Sequence, residues 1–226
     1  MRGEPGANPA RYESAVRRWF AMVRKEPHAL VAGSLLSVCV SLPVATAGPA
    51  RLATARYMAL RERGESATYR DALRFAFVES GGAGWLMGLT DALALLMAGG
   101  CVVAMLSDGA AMALRALYSG LFVIDMAYLA SGIYRYPALA DEPGSRVTMM
   151  VTRGFLMTLA NPGWTLLFIC AQLLALVICA ATGVGLVALF PAASSLLEAL
   201  AYEEMSSAYT EDGEPDFEDT QDSPDE

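Results

Sequence analysis

The chain has 226 residues, 55% of them apolar and only 18% charged, with a mean hydropathy of +0.39 and a net charge of −8. A soluble domain of this length carries about 25% charged residues and no apolar run near membrane thickness, so this composition points away from one. The negative charge is a local feature: from Glu203 onward there are eleven acids and no base, which leaves 16 basic against 24 − 11 = 13 acidic groups elsewhere.

In chain order, Met1 to Pro27 is polar and arginine-rich, without the apolar core of a signal peptide. The first predicted helix is Leu30–Pro43, and Leu42 to Ala50, with two prolines and a glycine, reads as a turn or a broken helix. A second helix returns over Ala50–Leu60; it is short and holds Arg51 and Arg56, so five spans with a half-inserted second helix is the alternative to six. The third helix is expected over Gly84–Leu106, followed by a tight turn at Ser107-Asp108-Gly109 and a fourth helix over Ala110–Tyr134. Gly154 to Leu197 runs 44 residues without a charge. As one helix it would be about 66 Å long, twice a bilayer core, so it must cross, turn and return. The fifth and sixth helices are accordingly expected over Gly163–Ala181 and Gly185–Tyr202, hinged at Thr182 to Gly185.

These elements predict an all-α, polytopic membrane protein: about six transmembrane helices in three hairpins within residues 28–202. They are flanked by a cytoplasmic amphipathic segment, 1–27, and an acidic tail, 203–226, too polar to order itself. Positive segments near spans are retained in the cytoplasm. The N-terminal segment carries Arg2, Arg11, Arg17, Arg18, Arg24 and Lys25; the connection after the second helix carries Arg61, Arg63, Arg70 and Arg74; the one after the fourth carries Arg135, Arg146 and Arg153. In a six-span chain all 13 share one side, with both termini cytoplasmic.

A repeated spacing precedes each hairpin. Tyr12-x-x-Ala15-Val16-Arg17-x-x-Phe20 is followed by His28, Tyr69-x-x-Ala72-Leu73-Arg74-x-x-Phe77 by Trp85, and, more faintly, Val151-Thr152-Arg153-x-x-Leu156 by Trp164. Each stretch predicts an amphipathic helix in the cytoplasmic interface, with the His or Trp at headgroup depth. The spacing fits either an internal duplication or the ordinary pattern of juxtamembrane helices.

Asp91, Asp125 and Arg56 form the candidate intramembrane polar site. Asp91 lies 17 residues before Asp108 and Asp125 lies 17 after it, so a hairpin turning there puts both at one depth, about 25 Å from the turn at 1.5 Å per residue. With Arg56 as counter-charge they suit a cation, proton or polar-solute site, an interhelical ion pair, or groups exposed at the interface. Arg51 also falls at bilayer depth, Arg115 reads as snorkelling, and Gln172 and Asn161-Pro162 as packing and helix-start features. The single histidine, the absence of a C-x-x-C pair among Cys39, Cys101, Cys170 and Cys179, and the lack of a strand-borne phosphate loop point to no enzyme, cofactor or metal. The lipid bilayer is the expected partner, and nucleic acid is not.

The segment Leu42-Pro43-Val44-Ala45-Thr46-Ala47-Gly48-Pro49-Ala50 resembles the Leu-Pro-x-x-Thr-x-Gly-Pro-Ala signature of the YesL-like family of bacterial integral membrane proteins. The likeness continues in Tyr69-Arg70-Asp71-Ala72-Leu73-Arg74-Phe75-Ala76-Phe77 and in Tyr134-Arg135-Tyr136-Pro137-Ala138-Leu139. It marks Leu42, Pro43, Thr46, Gly48, Pro49 and Ala50 as the family motif. The family has no established catalytic residues, and its members often lie beside genes for carbohydrate uptake. The resemblance therefore implies a multi-pass protein of the bacterial cytoplasmic membrane. It also implies a non-enzymatic accessory role in carbohydrate uptake, through contacts with ABC transporter subunits. A small ion or solute carrier using the Asp and Arg residues, and a scaffold or envelope-maintenance protein, are the alternatives.

Overall fold

A computed structural model describes residues 9–42, 46–107, 112–142 and 146–211. Within them the chain forms helices α1 (Pro9–Lys25), α2 (Pro27–Ser41), α3 (Ala47–Glu62), α4 (Tyr69–Arg74), which continues as a π turn over Phe75–Glu79, α5 (Ala83–Leu106), α6 (Met112–Ala130), α7 (Gly132–Asp141), α8 (Val147–Ala160), α9 (Pro162–Ala181), α10 (Val184–Ala188) and α11 (Phe190–Glu211). No strand occurs among the described residues. The three stretches of expected amphipathic spacing fall in α1, in α4 with its π turn, and in α8. His28, Trp85 and Trp164 sit in the first turns of α2, α5 and α9.

Three stretches are long and apolar enough to cross a membrane: Ala83–Leu106, Met112–Asp141 (α6 and α7 end to end) and Pro162–Ala181. Only 17%, 22% and 17% of their most apolar windows are buried, so the apolar surface faces outward, as lipid contact requires. The other expected spans differ. α2 has 15 residues and α3 has 16, about 22–24 Å each, short of a bilayer core of about 30 Å. α3 also carries Arg51, Arg56 and Arg61. The expected sixth span, Gly185–Tyr202, is broken at Leu189, just before Pro191, into α10 and α11. α11 then runs to Glu211, past the expected end of the helix at Tyr202, so the acidic segment begins as helix; residues 212–226 lie outside the described residues.

The hairpins reach unequal heights. A Cβ on Gly88 in α5 would stand 2.6 Å from the Gly48 Cα at the start of α3, so the two backbones touch there. That contact fixes the start of α3 beside the second turn of α5. From Gly88 to the end of α5 at Leu106 there are 18 more residues, a further rise of about 27 Å. The start of α3 therefore lies well below the end of α5.

The fourth predicted helix was expected to end at Tyr134, with Tyr136-Pro137 in a loop. Instead, α7 carries the chain on as helix to Asp141 with Pro137 inside it. Pro137 forfeits one backbone hydrogen bond, but Ile133 to Ala140 are buried without interruption, and that packing outweighs the breaker.

One end of the bundle is tied by ion pairs. Arg18 of α1 binds Glu62 at the end of α3 together with Glu203 and Glu204 of α11, at 2.8 Å and 3.4 Å for the last two. Arg63 meets Asp141 at 2.6 Å and Arg153 meets Glu142 at 2.6 Å. Burial lowers the Arg18 pKa, but the hydrogen bonds and charges of Glu62 and Glu203 more than reverse this and hold it above its ordinary value. The first and last helices thus meet at the same end.

Candidate functional site

Six helices converge on a charged centre. Asp91 of α5 accepts hydrogen bonds from the Arg135 guanidinium at 2.9 Å and from the Tyr136 hydroxyl at 2.9 Å, both from α7. Arg51 of α3 lies 3.7 Å from the same carboxylate and 2.8 Å from Glu198 of α11. Gln172 of α9 donates to Glu198 at 3.0 Å and to Ser194 at 3.1 Å. Two aromatic faces complete the set: the Arg51 guanidinium sits 4.4 Å above the Tyr136 ring, and that of Arg135 sits 4.0 Å above the Tyr128 ring of α6. Cations over aromatic rings gain about 2 kcal/mol when desolvated.

The charges cancel, with Arg51 and Arg135 balancing Asp91 and Glu198. Arg135 is 1% exposed and Glu198 4%, whereas Arg51 is 38% exposed. A buried cation such as Arg135 with no partner would be prohibitive in this setting, and removing one member of a buried set costs about 3–5 kcal/mol. Some bonding capacity stays unused: Nε and Nη1 of Arg135, Oε2 of Glu198, Oδ2 of Asp125 and the Tyr128 hydroxyl are buried without a hydrogen-bond partner.

Arg51, Gln172 and Glu198 open onto a cleft of about 340 Å³ between α2, α3, α9 and α11. The remainder of its wall comprises the Ser37, Ser41, Ser194 and Ser195 hydroxyls with Phe190 and Pro191 at the α10–α11 break. Pockets for small molecules start at about 300 Å³, so the cleft admits a small solute. Among the described residues no three His, Cys, Asp or Glu side chains converge to hold a metal.

Of the expected site residues, Asp91 lies at this centre and Arg56 does not. The Arg56 guanidinium donates to the Ala140 carbonyl and stacks 4.9 Å from the Phe75 ring, serving the contact of α3 with α4 and α7. The counter-charge role assigned to it falls to Arg135 and Arg51. Asp125 is buried on α6 but joins neither Asp91 nor Arg56 through a hydrogen bond or ion pair. Of the Leu42–Ala50 residues singled out in the sequence, those described other than Leu42 pack or close the turn. The Thr46 hydroxyl closes the turn onto the Val40 carbonyl, and Gly48 provides the contact with α5. Pro49 and Ala50 are buried in the first turn of α3, Leu42 is exposed, and Pro43 lies outside the described residues.

Sequence reasoning missed Arg135, Glu198 and Gln172 as members of the centre. Arg135 was counted with the arginines of the connection because the fourth helix was expected to end at Tyr134. Its flanking tyrosines, and the lone acid in Leu196-Leu197-Glu198-Ala199-Leu200, were the signals available. No family model, curated protein or solved structure matches this chain.

Proposed function

We propose that this chain is a non-enzymatic membrane protein that binds a small polar solute in the cleft between α2, α3, α9 and α11. One observation carries the reading: in a molecule whose outward surface is dominated by leucine, valine and methionine, Arg51, Glu198, Gln172 and four serines line a single cleft. Polar groups at bilayer depth are costly and concentrate along substrate or ion pathways. In this arrangement the α5–α6 and α9–α11 hairpins cross the membrane, and α2–α3 enters beside them to a shallower depth, which leaves six helices in three hairpins. The basic connections and both termini share the cytoplasmic side. The Arg18 bonds to Glu203 and Glu204 support that common side.

The test is aqueous access. Cysteine placed at Ser194 should react with a membrane-impermeant thiol reagent in reconstituted protein, whereas cysteine at Leu96 should not. Equal protection of both positions overturns the reading.

A second reading, an accessory factor that contacts transporter subunits during carbohydrate uptake in a bacterial cytoplasmic membrane, is favoured by the Leu42–Ala50 segment and its YesL-like character. Co-purification of ABC transporter subunits with the tagged protein from native membranes supports it; their absence under mild detergent extraction removes it.

A further inference from the structure

We infer that the cleft takes a neutral, hydroxyl-rich solute, an inference that rests on the cleft being a solute site at all. The argument is a balance of charge and of hydrogen bonds.

Within the centre every formal charge already has a counter-charge. Arg51 is shared between Glu198 and Asp91, and Asp91 is held in addition by Arg135. A cationic or anionic ligand entering this low-dielectric site brings a net charge that nothing there neutralises, and an unpaired ion in such surroundings is strongly disfavoured. A zwitterion avoids the net charge, but its two ends compete for Arg51 and Glu198, which hold each other at 2.8 Å. Hydroxyls need no such exchange. They add hydrogen bonds to lone pairs and N–H groups already present and leave both ion pairs in place.

The unused capacity matches that demand. Glu198 is 4% exposed, lines the cleft and spends Oε1 on Arg51 and Gln172 while Oε2 has no partner. That oxygen has almost no accessible surface, so a donor meets it only when the Glu198 side chain turns toward the cleft, and a solute hydroxyl is a donor that brings no charge. Ser195, one turn before Glu198 on α11, and Ser41 of α2 add hydroxyls that donate and accept, the complement of a polyol. Phe190 and Pro191 contribute an apolar patch suited to the C–H face of such a molecule.

Equilibrium binding to the full-length protein in nanodiscs tests this with radiolabelled sorbitol and glucose as neutral polyols, alanine as zwitterion, acetate as anion and methylammonium as cation. The expected result is saturable binding of a polyol alone. Ser195→Ala should weaken it about five-fold, the loss of one hydrogen bond, and Ser41→Leu, at the rim of the cleft, should abolish it. Thermal melts verify that each variant is folded, and Ser41→Leu keeps the test decisive if buried Ser195 does not tolerate change. Saturable binding of alanine, acetate or methylammonium without polyol binding overturns the neutral-solute inference and leaves the cleft as a site. Polyol binding unmoved by both variants places the solute elsewhere. Failure of every probe on folded protein removes the inference together with the solute-site reading beneath it.

Discussion

The inner end of the molecule and the far half of the α5–α6 hairpin are both helical, yet their order rests on different physics. Around Arg135 the chain is packed on all sides: Tyr134, Arg135, Tyr136, Leu139 and Leu196 are almost wholly buried, and the Tyr134 hydroxyl, Arg135 Nη2 and the Tyr136 hydroxyl meet specific partners. Beyond Ala94 the hairpin has only itself. Leu95, Leu96, Val103, Leu106, Met112 and Leu117 face outward, and a Cβ on Gly99, Gly100 or Gly120 would meet nothing within 4 Å. The inner end is specified by pairing, so its tolerance of change is narrow. Apart from Ala98 and Cys101, which are buried within it, the far hairpin is specified by hydropathy, and its outward face accepts apolar residues of many shapes.

Substitutions on the two sides of this contrast should differ in size and kind. The largest effect is expected at Arg135. Arg135→Leu leaves the largely enclosed Asp91, 14% exposed, without its main partner and should cost about 3 kcal/mol, read as a loss of thermal stability in detergent. Adding Asp91→Leu should recover part of that loss, because the stranded charge goes too; no recovery breaks the pairing account. On the hairpin, Leu96→Asp should cost about 3 kcal/mol, on the scale of a central acidic residue in a span, but in membrane insertion efficiency rather than in the melting of inserted protein. A melting defect equal to that of Arg135→Leu would show that the hairpin is packed after all.

A glycine pair sharpens the comparison at smaller scale. Gly88→Ala drives a methyl into the Gly48 backbone and should destabilise by about 1–3 kcal/mol. Gly99→Ala, in open space, should stay within about 0.5 kcal/mol. A comparably small effect is expected at the ion-paired end: Arg63→Gln breaks a pair whose side chains are 43% and 35% exposed, worth about 0–1 kcal/mol and diminished by salt.

The same division governs what could be read in advance. The 44-residue uncharged run, the glycine and proline breaks and the spacing before each hairpin located α5, α6, α9 and the helices α1, α4 and α8, because hydropathy and local propensity act over neighbouring residues. Asp91 was also found, since an acid in an apolar run stands out. Its partner was misassigned because Arg51, Arg56 and Arg135 are alike in sequence, and only helix rotation and packing distinguish them.

Residue order by itself thus determined the helical class and the three long apolar helices, since each follows from how a short stretch interacts with water or hydrocarbon. Tertiary structure alone decided that Pro137 stays helical, that the start of α3 meets α5 at Gly88, and that Glu198 and Arg135 share one centre with Asp91. These depend on contacts between residues up to 147 positions apart, as between Arg51 and Glu198, and such contacts are set by packing that no local pattern encodes.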